Sequence, residues 1–195
     1  MTTTLRRGGP LLRALLALVI TASPAAGQEP QVPAELQARL FVKILSYDRT
    51  LAAPAPRDVV LGVLVQRRHR ASLDAAEAMT AAIRALPPPT APEPRLRAVL
   101  VDAELDGLAG QLESLHVDAL YVTPLRAVSA GEVLGVTRPR GVRTLTGVPD
   151  YVRQGLAVGL AVRDDRPEIV INLTAARAEG ADLSSQLLKV ARVIP

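Results

Sequence analysis

No cysteine occurs in the 195 residues. Thiol nucleophiles, thiolate metal sites and disulfide switches are therefore excluded. Histidine is nearly absent. His69 and His116 fall in separate segments, and neither has a second His or a Cys at ligand spacing, so no metal and no cofactor is expected. Tryptophan is missing and phenylalanine occurs once, so the core must be built from Leu, Val, Ile and Ala. The catalytic signatures are missing too. No G-x-S-x-G elbow, P-loop or G-x-G-x-x-G follows a strand-like segment. Ser184 and Ser185 sit just past Asp182, which is read as the cap of a closing helix with the two hydroxyls in its first turn. No catalytic residue is expected, and the chain reads as a non-enzyme.

What is present begins with the amino terminus. Arg6, Arg7 and Arg13 precede the apolar run Ala14–Ala22, and Ala25-Ala26-Gly27 supplies small residues before Gln28. This is the pattern of a secretory signal peptide over residues 1–27. The apolar run is too short to span a bilayer well. Removing its three arginines from the formal charge of +4 leaves +1, so the basic isoelectric point is no argument for nucleic-acid binding. With Lys43 and Lys189 the only lysines, arginine carries nearly all the positive charge, and a single arginine says little. The remaining stretch, 28–195, has the length of one domain.

Helical and strand periods alternate along that stretch. Leu36, Leu40, Ile44 and Leu45 form a helical stripe, and Val59–Val65 is a continuous aliphatic run suited to a buried parallel strand. A helical face follows (Leu73, Ala76, Met79, Ile83, Leu86), with Ser72 as its cap. Residues 87–94, PPPTAPEP, can be neither helix nor central strand and read as a stiff connector. Strands are predicted at Leu96–Val101, Asp118–Val122 and Val142–Leu145, with helices through Leu105–Leu115 and Pro124–Leu134 and a helical turn at Pro149–Gln154. Leu156–Val162 and Glu168–Leu173 read as a hairpin across Asp164-Asp165-Arg166, closed by a type I turn. Ala175–Glu179 makes a short helix stopped by Gly180 in the left-handed conformation, and the closing helix carries Leu183, Leu187, Leu188 and Ala191 on one face. The order defines an α/β fold. The expected form is a three-layer sandwich, its sheet mostly parallel with an antiparallel C-terminal edge hairpin and a closing helix.

In such sheets ligands bind beyond the carboxyl ends of the strands. Those ends carry Arg67, Arg68 and His69, then Asp102, Thr123 and Gly147. The basic run precedes a helix amino terminus, a combination suited to a small anion, so these six are the candidate ligand-binding residues. A small solute-binding module is the alternative reading that follows.

The closing segment also carries a resemblance. Ile171-Asn172-Leu173, Ala175-Ala176-Arg177, Gly180, Ser184-Ser185, Leu187-Leu188 and Ala191 match the pattern I-N-L-x-A-A-R-x-x-G-L-x-I-S-S-x-L-L-x-L-A. That pattern is similar to the carboxyl terminus of the YfiR-like family of exported proteins. Leu145-Thr146, Gly155, Val158 and Gly159 resemble the strand and hairpin that precede it. The resemblance implies a periplasmic, non-enzymatic regulator or sensor. Its partner would be the periplasmic domain of an inner-membrane diguanylate cyclase or histidine kinase, and it would act in cyclic-di-GMP signalling. It also implies a homodimer. The disulfides some members use have no counterpart here, because the chain has no Cys.

Overall fold

The computed structural model describes residues 31–52, 58–90, 93–103 and 107–195. The signal-peptide reading and Leu105 lie outside these residues. The first helix, α1 (Ala34–Ser46), is followed by one turn, α2 (Arg49–Ala52). Strand β1 (Asp58–Val65) leads into α3 (Arg70–Arg84), and β2 (Arg95–Asp102) into α4 (Leu108–Ser114). Then come β3 (Ala119–Val122), α5 (Ala130–Thr137), β4 (Arg143–Thr146) and α6 (Asp150–Arg153). The hairpin β5 (Val158–Arg163) and β6 (Arg166–Asn172) precedes α7 (Leu173–Ala178), α8 (Ser185–Val190) and a last strand, β7 (Arg192–Ile194).

All the strands join one sheet in the order β2-β1-β3-β4-β5-β6-β7. Pairing is parallel from β2 through β5, antiparallel between β5 and β6, and parallel again between β6 and β7. Each face is covered. Phe41, Ile44 and Leu45 of α1 and Ala76, Met79 and Ile83 of α3 pack on Leu61, Val63, Tyr121 and Leu145. On the other face Leu112 of α4 and Val133 and Leu134 of α5 pack on Val60, Leu64, Leu120 and Val122. Alternate residues of β1 thus enter opposite cores, which is why the strand reads as an unbroken aliphatic run. The result is the expected three-layer α/β sandwich.

Five details depart from the sequence reading, each for a local reason. The hairpin does not end the sheet, because Arg192–Ile194 adds β7 outside it. The apolar spacing of Leu187, Leu188 and Ala191 continues a helical pattern, but the backbone at Ala191 is already extended (ψ 151°). The hairpin loop has two residues, Asp164 and Asp165, both with positive φ (49° and 57°). That makes it a type I′ turn, whose twist matches the strands; aspartate tolerates the left-handed region in place of glycine. The cap of α8 is Ser184, whose hydroxyl accepts from the Leu187 N–H, rather than Asp182. Finally, the helix expected from Pro124 starts at Ala130, capped by Ser129 with Glu132 in a reciprocal capping box. Gly180 does take the left-handed conformation, φ +78°, and Ser72 is not a cap but a buried polar residue inside α3.

Candidate functional site

The chain leaves β1 toward β2 on one side and reaches β3 on the other, so the strand order reverses between β1 and β3. Loops after these strands diverge there, which makes the crevice at their carboxyl ends the default ligand position in an open α/β sheet. In this protein its floor is filled by side chains. Gln66, 1% exposed, accepts through Oε1 from the N–H of Arg126 at 2.7 Å and of Ala127 at 3.4 Å. The Gln66 N–H donates to the Ser72 hydroxyl at 2.8 Å. Ser72 and Thr123 meet at 2.6 Å, and Thr123 donates its single hydroxyl hydrogen to the Leu64 carbonyl at 2.7 Å. Ser72 must therefore donate to Thr123. The network ties the loops after β1 and β3 to α3. One atom is left over: Gln66 Nε2 is buried with no hydrogen-bond partner.

The six candidate residues divide at this point. Arg67 reaches Asp102 at 2.8 Å across the mouths of β1 and β2. Arg68 is exposed and His69 half-buried, at the residue before α3, where its side chain makes no capping bond. Thr123 lies wholly inside the network. Gly147 answers to a different neighbour. A Cβ there would fall 2.7 Å from Gln37 Oε1 and 3.0 Å from the Tyr121 hydroxyl. Its lack of a side chain makes room for buried Gln37, which donates to the Val32 carbonyl and accepts from Tyr121. Gly147 also edges a cleft of about 580 Å³ with Asp150, Arg153, Arg163, Glu168 and Arg192. Arg163 and Arg192 both reach Glu168 there and hold its carboxyl below the usual range, the Arg192 hydrogen bond most strongly.

The opposite end of the sheet holds a second polar cluster, which the sequence reading missed. Asp48, 1% exposed, accepts from Arg143 Nε at 3.0 Å. Its other oxygen accepts from the Thr50 N–H, the Thr50 hydroxyl and the Asp182 N–H. Arg143 also donates to the Gly141 and Gly180 carbonyls and to the Thr50 hydroxyl. Beside it Glu179 is fully buried and accepts from the Thr144 N–H at 2.8 Å and the Thr144 hydroxyl at 2.6 Å. Burial pushes the Glu179 carboxyl up to about 7, against the opposing pull of the Thr144 bonds and the charges of Arg138 and Arg143. The cluster binds the end of α1 to β4 and the C-terminal segment. Its carboxylates are occupied by these partners, which marks it as a clasp rather than a reaction centre. Among the described residues no group of three or more His, Asp or Glu could hold a metal ion.

The strand order from β2 to β5 is flavodoxin-like, and it defines an open α/β domain with an antiparallel extension. Solved structures share that fold. The chain superposes on the ABC domain of Streptococcus pneumoniae in complex with L-Trp with a TM-score of 0.60 at 16% identity, covering 83% of this chain and 62% of that one. A conserved domain protein from Vibrio cholerae gives 0.58 at 14% identity, over 85% and 61%. The ligand-free, open form of CD0873, a substrate binding protein with adhesive properties from Clostridium difficile, gives 0.59 at 12%, over 84% and 60%. The chain thus spans about three-fifths of each of these structures. No curated protein matches it in sequence. The family is nonetheless defined: the YfiR/HmsC-like model matches residues 34–192, and the chain belongs to that family. The family is periplasmic, regulatory and non-catalytic in kind. Among the described residues no helix is long and apolar enough to cross a membrane.

Proposed function

We propose that the protein is an exported regulator that binds the periplasmic domain of an inner-membrane signalling enzyme, a diguanylate cyclase or histidine kinase, and restrains it. The observation that carries this reading is the family match over 34–192. The surface adds a place for contact. Val190, 72% exposed at the end of α8, and Val193, 42% exposed on the outermost strand β7, are large apolar side chains open to a protein partner. The test is loss and repair in the host. Deletion raises cyclic-di-GMP or kinase output, the wild-type chain restores it and co-purifies with the membrane enzyme, and the Val190→Glu, Val193→Glu variant folds but does neither. Unchanged output on deletion, with no membrane enzyme recovered, would sink the proposal.

A second reading, binding of a small anion, is favoured by the unpartnered Gln66 Nε2 at the sheet's reversal point. Arg67, Arg68 and His69 would face the ligand, Asp102 would hold Arg67 in place, and Thr123 would brace the floor beneath them, with Gly147 standing apart beside Gln37. Stabilisation by phosphate, sulfate or a carboxylate metabolite in a thermal-shift series, lost in Arg67→Ala, Arg68→Ala, supports it. A flat series removes it.

A further inference from the structure

β2 is the outermost strand on its side of the sheet, and the backbone groups of successive residues point alternately toward β1 and away from it. Asp102 sets the phase. Its N–H donates to Gln111 Oε1 at 3.0 Å, and its carbonyl accepts from Gln111 Nε2 at 3.1 Å. The side-chain amide of Gln111 therefore stands where the backbone of a neighbouring strand would stand. The next residue, Ala103, donates inward to the Val65 carbonyl. A period of two carries the outward direction back from Asp102 to Leu100, Ala98 and Leu96. Among the described residues nothing bonds the outward groups of these three. The row ends at Pro94, which has no N–H to offer. Leu100, 49% exposed, shares a sheet face with Leu96 and Ala98, both of which pack on the α1/α3 core.

We propose that this edge pairs antiparallel with the same edge of a second copy, about a two-fold axis at Ala98. The register follows from the bonding pattern. With Ala98 opposite Ala98 of the second copy, Leu96 lies opposite Leu100 and Leu100 opposite Leu96, and each pair exchanges both backbone bonds. Centring on Arg97 sets Leu100 against Pro94. Centring on Val99 sets Leu96 against Asp102, whose groups Gln111 already holds. Only the Ala98 register uses all three outward residues. It also covers exposed Leu100 with Leu96, and it sets Arg95 and Arg97 opposite Val101 and Val99, so no like charges face each other. The contact is self-complementary, as a two-fold interface requires. It does not depend on the regulatory reading.

The absence of cysteine makes the register testable in the full mature chain. Ala98→Cys places two thiols on an antiparallel pair with Cα atoms about 5.5 Å apart, within disulfide reach. Leu100→Cys places its thiols four residues out of register. We expect mild oxidation to link Ala98→Cys into covalent dimers and to leave Leu100→Cys unlinked. Light scattering shows a wild-type dimer that weakens at least about tenfold in Ala98→Pro and in Leu100→Lys. Ala98→Pro deletes only an outward N–H. Circular dichroism confirms that the variants fold, and Leu100→Lys serves alone if the proline variant does not. A monomeric wild type overturns the proposal, as does a dimer untouched by Leu100→Lys or a Leu100→Cys chain that links while Ala98→Cys does not. If the wild type is monomeric but Leu100→Lys abolishes capture of a membrane partner, the edge serves that partner instead and the self-pairing is refuted.

Discussion

Asp48 and Arg143, 95 residues apart in the chain, meet at 3.0 Å between the end of α1 and the start of β4. The guanidinium is 15% exposed and the carboxylate 1%. Removing one partner of such a pair leaves the other charged and poorly solvated. Asp48→Ala is expected to cost roughly 3–5 kcal/mol in urea unfolding. Asp48→Asn, which keeps an acceptor for the Thr50 and Asp182 N–H groups, should cost visibly less. Equal losses would show that the charge of Asp48 contributes nothing beyond its hydrogen bonds.

Glu179 makes stability depend on pH. Its carboxyl titrates at about 7 in the folded chain, above the ordinary 4.5, so between those values the folded chain keeps a proton that the unfolded chain has released. The Glu179 contribution is fully present below about pH 4.5 and is lost as pH rises through 7, by up to about 3 kcal/mol. Glu179→Gln retains polar contact with Thr144 and carries no charge. Its unfolding free energy should be flat over that window where the wild type slopes downward.

The Ser72–Thr123 pair predicts a non-additive loss. Ser72→Ala strands the buried Gln66 N–H and one side of Thr123, at a cost of about 1–3 kcal/mol. Thr123→Val strands the Leu64 carbonyl and should cost a similar amount. The double variant is expected to lose less than the sum, because the bond between the hydroxyls is counted in both. Additive losses in denaturant titrations would mean that the two hydroxyls act independently.

Gly147→Ala drives a methyl group to within 3.0 Å of Gln37 and Tyr121. Overpacking of this kind costs about 1–3 kcal/mol. Gln37→Ala in the same chain should recover much of the loss, since it empties the contested space. Thermal midpoints of the two single variants and the double variant decide the matter.

Much of the architecture was legible because its elements are long and periodic. Val59–Val65 could only be a strand buried on both faces, and the Leu73–Leu86 face could only be a helix. The short elements were less legible. In the stretch from Leu187 to Ile194 the apolar spacing suits a helix, and only pairing with β6 reveals Arg192–Ile194 as a strand. The capping box at Ser129 and Glu132 was present as S-x-x-E, but Pro124 drew the helix start forward. The candidate site was partly legible. Strand-end reasoning reached Arg67, Asp102 and Thr123, which the structure ties down by ion pair or hydrogen bond, yet it passed over Gln66, the most buried polar residue of that loop. The clasp around Asp48 could not be read, because its members come from segments near residues 48, 143 and 180, and nothing local marks them as neighbours.

The junction of α1 with the C-terminal segment bears on the order of events in folding. Arg49 donates its N–H to the Asp182 carbonyl, and Ser184 donates to the Tyr47 carbonyl, so α1 is finished by the segment that joins α7 to α8. A chain emerging gradually, from a ribosome or through a membrane pore, cannot close this joint until residue 184 is out. Until then α1 lacks its final partners and Asp48 has no Asp182 N–H to accept from. The end of α1 is thus latched only when residues 182–184 are in place beside it, and a chain halted short of Ser184 leaves that helix unlatched.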